Sequence, residues 1–242
     1  MGVNETAKLA LLLRSISSNT ICSGFISQSA ISFKVALLRR KQMTMQLYEL
    51  SSKNDCRFSP YCWRTRLALK HKQLTYEIIH IRFSDKAAVA FYSQERFPVL
   101  RDGDKVISDS WNIALYLESN YPNKPNLFNG HAGRSLTNFL NGWVDQILHP
   151  SLIPIIIADI LNNVDPIYEN YFIESRMARF GKHPKEMQNR NTANMQNFEN
   201  AARALRASLK NKPFLTGDRP AYADYIVFGA FVWYTLLAIL TY

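Results

Sequence analysis

RFSPYCWRTRLALKHK, residues 57–72, is the stretch that decides how this chain folds. A polar loop, Ser51–Arg57, runs into Ser59-Pro60. Proline is accepted in the first turn of a helix because the N–H it lacks would have had no partner there. Ser59 is then the N-cap, and Tyr61–Lys72 continues as an amphipathic helix. Leu67 and Leu69 are among its apolar positions, with Arg64, Arg66, Lys70 and Lys72 largely outward. Upstream, Met45–Leu50 reads as a short apolar strand; downstream, Tyr76–Phe83 alternates as a second strand. Asp85–Gln94 is expected to carry a small helix.

Farther along, Phe97-Pro98-Val99-Leu100 and Lys105-Val106-Ile107 flank Arg101-Asp102-Gly103-Asp104, and Asp-Gly between apolar runs signals a hairpin. Pro98 at the head of a strand is hard to fit in a central position unless its peptide bond is cis. Ser108–Tyr121 reads as a helix with Ile113, Leu117 and Tyr121 on one face, stopped by Pro122. The order β-α-β-α-β-β-α over residues 45–122 is a thioredoxin-like unit. Residues 123–130 are a polar linker, and beyond it only helical patterns recur, over His131 to about Leu161, a polar central stretch to about Lys182, Pro184–Leu209 and Ala223–Tyr242. Strands first and helices after predict an α/β domain followed by an all-helical one at 131–242.

Net charge narrows the function. The chain carries +10, but residues 1–44 hold six Lys and Arg against Glu5 alone. Half of the excess is therefore outside the folded pattern, and no stripe of basic and aromatic residues follows it, so nucleic acid is not the expected partner. That Ser-rich, basic stretch reads either as a disordered upstream extension or as an organelle-targeting segment. Cys22, Cys56 and Cys62 make neither a disulfide framework nor a zinc site, so no metal is expected.

Taken in order, SPYC opening a helix, FPVL, Asp109-Ser110 ahead of a helix ending in YLESNYP, and TGDRPAYAD opening a late helix resemble the glutathione transferase superfamily. The resemblance runs from Met45 to about Tyr234, and RFSPYCWRTRLALKHK is most similar to the Ser-type branch of bacterial lignin β-etherases and related fungal transferases. It implies a cytosolic enzyme, a homodimer, that takes glutathione as co-substrate, with an organelle as the alternative should residues 1–44 be a targeting segment. The helical domain would then take the electrophile. A glutathione-binding module without catalysis is the alternative reading.

The chemistry agrees at Ser59, where a hydroxyl, the free amides of a first turn and the positive end of a helix dipole converge on one point and favour a thiolate. Ser-Pro-Tyr-Cys also looks like a Cys-Pro-Tyr-Cys redox motif that has lost its nucleophilic first position, which argues against disulfide exchange. Cys62 is expected to be buried. The resemblance further implies that Val99, after a cis-Pro98, pairs through its main chain with glutathione's cysteinyl part. It implies too that Asp109 and Ser110, with the amides of the helix they open, receive the γ-glutamyl carboxylate. Lys86, Arg96 and Arg57 are candidates for the glycyl carboxylate.

Trp143, beside Asn141 on the first long helix of the second domain, is a candidate for the electrophile wall, whereas Tyr61, Trp63 and Trp233 read as core. His131 and His149 have no partner spacing and read as surface or capping residues. Two departures from the family stand out. The late helix has Ala221 where Ser or Thr normally starts a capping box with Asp224. The final run, VFGAFVWYTLLAILTY, loses its polar face and stops where relatives continue. It reads as a core helix whose tail is missing or altered, with a membrane span as the alternative and not expected.

Overall fold

Met45–Leu50 (β1) is buried at four of its six positions and forms the spine of the sheet. The structure is a computed structural model that describes residues 45–51, 57–81 and 97–239. β1 runs parallel to β2 (Tyr76–Ile81) and antiparallel to β3 (Val99–Asp102), which is antiparallel to β4 (Lys105–Ser108). The strand order is β2-β1-β3-β4. Leu47 faces Ile78 on one side and Leu100 on the other, so the register brings apolar side chains into rows. α1 (Pro60–His71) crosses over between the parallel strands, and α2 (Ser110–Asn120) packs beside it and against β3 and β4. The expected helix over Asp85–Gln94 and the end of the second strand lie outside the described residues.

The hairpin turns one residue later than the Asp-Gly signal suggested. Gly103 and Asp104 are its central pair, with Gly103 at φ +60°. A two-residue hairpin turn whose first central residue has positive φ favours glycine there. Asp102 stays in the strand because its carboxylate accepts from the hydroxyls of Tyr116, at 2.7 Å, and Tyr121. The Phe97–Pro98 peptide is cis, as expected.

Beyond the linker the described chain is helical: α3 (Gly130–Trp143), a π turn at Val144–Leu148, α4 (His149–Asn162), α5 (Glu169–Phe180), a single turn α6 (Pro184–Met187), α7 (Thr192–Leu209) and α8 (Tyr222–Ile239). The π turn falls just before Pro150 and Pro154, which remove two donors from the helical ladder. Gly130–Asn162 as a whole is long and apolar enough to cross a membrane, but 61% of its most apolar window is buried within the protein, as in a core helix. The thioredoxin-like part and the helical part share one core within the compact unit Met43–Tyr242, where Leu69, Leu117, Leu148, Ile155 and Ile226 belong to a single cluster.

Two cations, Arg64 in α1 and Lys72 at its C-cap, overturn the sequence reading. Arg64 and Lys72, each 1% exposed, are with Glu49 the most deeply buried charged residues among those described. α1 is flanked on one side by α2 and on the other by α8, so part of its polar face is covered, while Lys70 stays exposed. Lys72 Nζ pairs with Glu118 at 2.5 Å and donates to the Tyr121 carbonyl, while Arg64 reaches across to the helical part. α8 comes so close to the first turn of α1 that a Cβ on Gly229 would sit 2.6 Å from the Pro60 carbonyl oxygen.

At the start of α8 the capping hydroxyl is missing, as read from sequence, yet half of the box survives. Asp224 reaches back to accept from the Ala221 amide at 3.0 Å. Restoring the other half with Ala221→Ser is expected to stabilise the fold by about 0.5–2 kcal/mol. Calorimetry should register a rise in Tm of roughly 2–4 °C per kcal/mol, and a fall would mean that the buried position rejects the added oxygen.

Candidate active site

Ser59 sits in extended geometry (φ −63°, ψ 116°) ahead of Pro60, and its Oγ accepts from the Cys62 amide at 3.4 Å. It is the N-cap that the sequence indicated. Cys62 faces inward and is free; burial pushes its thiol up to about 12, so it is no nucleophile at neutral pH. Cys56 lies outside the described residues.

Ser59 opens onto a cavity of about 440 Å3. Phe58, Pro60 and Tyr61 form its near wall, with Pro150 and Ile153 from α4 opposite. Arg176, Arg179 and Phe180 from α5 and Met187 from α6 close the side. Tyr61 therefore belongs to the wall and not to the core as expected. Its hydroxyl points at Asp145 (3.5 Å) and its ring meets His149 edge-on, with ring centres 5.7 Å apart.

Asp145 and His149 were missed in the sequence as site residues. His149 is neither on the surface nor a cap: it is buried, its Nδ1 3.3 Å from Asp145 Oδ1, one turn along the helix. Arg64 completes the group, with Nη2 2.9 Å from the same oxygen and Nη1 donating to Asn141 Oδ1 at 2.8 Å. Burial alone would raise the Asp145 carboxyl, but the His149 contact and the Arg64 guanidinium outweigh it and hold it below the usual carboxylate range. Burial lowers His149, and Asp145 only partly offsets this, so the imidazole is neutral at pH 7. Burial, helped by the Asp145 charge, raises the Tyr61 hydroxyl. Asp145 is thus a neutralised anchor between α1 and the long helix, not a free base.

The strand directions bring the other sequence candidates to the Ser59 end of the sheet. Val99 begins β3 opposite Tyr48 near the end of β1 and opposite Ser108 at the end of β4, so Pro98-Val99 adjoins Asp109-Ser110. Pro98 and Val99 are both buried, and neither they nor Asp109 and Ser110 are among the residues lining the 440 Å3 cavity. Asp109, not Ser110, is the N-cap of α2: at φ +71° its Oδ1 accepts from the amides of Trp111 (2.9 Å) and Asn112 (3.1 Å). Those amides were expected to face a ligand. The short Asp side chain curls onto its own helix instead, leaving Ser110 as the first helical residue.

Two family models match this chain: the glutathione S-transferase N-terminal domain over residues 55–125 and the C-terminal domain over residues 135–239. Together they take in most of it, in the order the fold displays. The chain belongs to the glutathione S-transferase family. Its fold is that of solved transferases: one from Phanerochaete chrysosporium is 24% identical, with a TM-score of 0.72 over 81% of this chain and 86% of that one. A Ceriporiopsis subvermispora glutathione S-transferase, solved in complex with glutathione, is 23% identical, with a TM-score of 0.71 over 80% and 86%. The β-etherase LigF from a Sphingobium species is 20% identical, with a TM-score of 0.57 over 78% and 82%. The similarity to fungal transferases and to a β-etherase agrees with the branch that SPYC suggested.

In this transferase Trp143 faces a second cavity, of about 430 Å3, beside Leu140, Leu205 and Leu215, and does not line the one at Ser59. Of the glycyl-carboxylate candidates, Arg57 is engaged with Glu49 (3.6 Å) and His80 (3.1 Å), and Lys86 and Arg96 lie outside the described residues. Trp63 donates to the Arg57 carbonyl at 2.6 Å and packs on Phe228. His131 is exposed on α3, in keeping with a surface role. Among the described residues no group of three or more His, Cys, Asp or Glu is arranged to hold a metal.

Proposed function

We propose that this glutathione transferase binds glutathione at the sheet end shared by Ser59, Pro98-Val99 and Asp109-Ser110, holds its sulfur as a thiolate at Ser59, and adds it to an electrophilic carbon in the adjoining cavity. The observation that carries the proposal is the Ser59 hydroxyl at the N-terminus of a twelve-residue helix, open to a cavity of about 440 Å3. The Cys62 amide donates to Ser59 Oγ, which leaves the hydroxyl hydrogen to be donated outward to sulfur. A Cys-type thiol has a reference pKa of about 8.5, and lowering it by two units corresponds to roughly 2.7 kcal/mol. A hydrogen bond to a charged group (about 1.5–3 kcal/mol) and the helix end (roughly 0.3–1 kcal/mol) are together enough.

In the step itself the thiolate sulfur bonds to carbon and the leaving group departs with its electron pair, the thiol proton having gone to solvent. Where the leaving group is an aryloxide, the outcome is ether cleavage; the β-etherase among the structural neighbours supports that reading. The backbone at Asp109, strained for a non-glycine residue, supports ligand contact at Ser110, since such conformations cluster at binding sites. A homodimer in the cytosol completes the reading.

Ser59→Ala is expected to lower kcat for aryl-halide conjugation ten-fold or more and to move the pH–rate midpoint upward, because the thiolate loses its donor. The lost cap should cost about 1 kcal/mol of stability, followed in parallel by thermal unfolding. Turnover equal to wild type at neutral pH would remove Ser59 from the mechanism.

A further inference from the structure

The cavity at Ser59 has one wall unlike the rest. Arg176 and Arg179 stand one helical turn apart on α5 and both line it, among apolar neighbours such as Ile153, Phe180 and Met187. Arg176 is half-buried, with Nη1 donating to Ser175 Oγ at 3.0 Å and its guanidinium stacked 4.4 Å from the centre of the Phe172 ring. Arg179 is exposed and lies over Phe180, 5.0 Å from the ring centre. Among the described residues neither is in an ion pair, although every other cation near this site has an acid: Arg64 has Asp145, and Arg57 and Arg66 have Glu49.

Asp145 lines the same cavity but is paired with neither arginine. Its Oδ1 already receives Arg64 at 2.9 Å and faces His149 at 3.3 Å. Arg179, although exposed, lines the same cavity as Ser59. Among the described residues the one carboxylate lining this cavity, Asp145, is already paired with Arg64, so an anionic ligand group is the partner that the two arginines lack. Planar, forked guanidinium groups match a carboxylate by paired hydrogen bonds.

We infer that the electrophile is an aromatic compound bearing a carboxylate, which Arg176 and Arg179 hold while its ring lies between Tyr61 and Phe180. This rests on the proposal that a glutathione thiolate forms at Ser59. The carboxylate sets the orientation of the ring, and the electrophilic carbon is presented to the sulfur. With a chlorodinitrobenzoate as probe, the sulfur–carbon bond forms, the carbon–chlorine bond breaks and chloride leaves with the electron pair.

The test compares that benzoate with its neutral amide, each rate divided by its uncatalysed rate with glutathione. Wild type is expected to favour the benzoate ten-fold or more in kcat/KM, and added salt should erode that preference because exposed charges are screened. Arg176→Met keeps the aliphatic stem against Phe172, and Arg179→Gln changes an exposed position whose loss the fold tolerates. Either should cut the benzoate-to-amide ratio at least five-fold. No preference in wild type, or a ratio unchanged in both variants, overturns the inference. So does a rise in the KM of glutathione with the ratio intact, since the arginines would then hold one of glutathione's own carboxylates. If wild type turns over neither compound, the thiolate proposal fails separately. Equilibrium binding of the unreactive dinitrobenzoate then decides: weaker binding by Arg179→Gln upholds the arginine pair, and equal binding overturns it.

Discussion

Arg64→Met should destabilise the protein by about 3–5 kcal/mol at pH 7, nearer the lower figure. The side chain of Arg64 is 1% exposed and that of Asp145 25% exposed, so removing the guanidinium strands a mostly desolvated carboxylate beside a neutral His149. Asn141 loses its donor in the same change. The cost comes from leaving a charge unpaired, not from any large net worth of the pair: Arg64 Nε is itself buried without a hydrogen-bond partner. Arg64→Met with Asp145→Leu is therefore expected to recover much of the loss.

The pH dependence has a definite sign. Asp145 is depressed in the folded state, so its contribution is present above the unfolded carboxylate value, 3.8, and is lost as pH falls through the folded value. The gap between wild type and Arg64→Met should accordingly be widest near neutrality and close below about pH 4. Urea titrations at neutral and acid pH measure both quantities. A difference under about 1 kcal/mol at pH 7, or one that widens in acid, would show that the Arg64–Asp145 pair does not hold the two parts of the protein together.

Features that one short segment decides were legible in the sequence. Ser59-Pro60 needs only its own first turn to be an N-cap, and Phe97-Pro98 only its own peptide bond. The hairpin slipped by one residue because Asp102 is held in its strand by Tyr116 and Tyr121, partners 14 and 19 residues away. The burial of Arg64 and Lys72 could not be read locally. Periodicity gives α1 one apolar face, whereas α2 and α8 cover both of its flanks, and the acids that tolerate this are Glu118 and Asp145.

The site shows the same division. Ser59, the residue proposed to face the thiol, came from a motif. The rest of the cavity is lined from the π turn, α4, α5 and α6, where the only cues were Asp145 and His149 at i, i+4 and Arg176 and Arg179 at i, i+3. Such spacings occur on any solvated helix. The candidate Trp143 missed the cavity because Asp145, two residues on, lies roughly 200° around the helix.

Asp224→Ala is the second change expected to have a large effect, about 2–4 kcal/mol of lost stability, since each hydrogen bond to a charged group is worth roughly 1.5–3 kcal/mol and the two from backbone amides here are not additive. Asp224 Oδ1 accepts from the Leu215 amide at 2.7 Å; Oδ2 accepts from the Ala221 amide at 3.0 Å and lies 3.0 Å from Thr216 Oγ1, whose single hydrogen it shares with the Arg219 carbonyl at 2.9 Å. With Ala221 supplying no hydroxyl, this one carboxylate ties the preceding loop to the first turn of α8 and also answers the positive end of the helix dipole. Asp224→Asn should fall between wild type and alanine, because its amide nitrogen would face a backbone N–H where an acceptor is required.

Loosening this end should also reach the chemistry. α8 lies directly on Pro60, the residue after Ser59, at the close approach that Gly229 permits. Conjugation by Asp224→Ala is therefore expected to fail at a lower temperature than that of wild type, following its unfolding curve. A variant within 1 kcal/mol of wild type in urea would mean that the packing of α8 on α1, and not its cap, fixes where the helix begins.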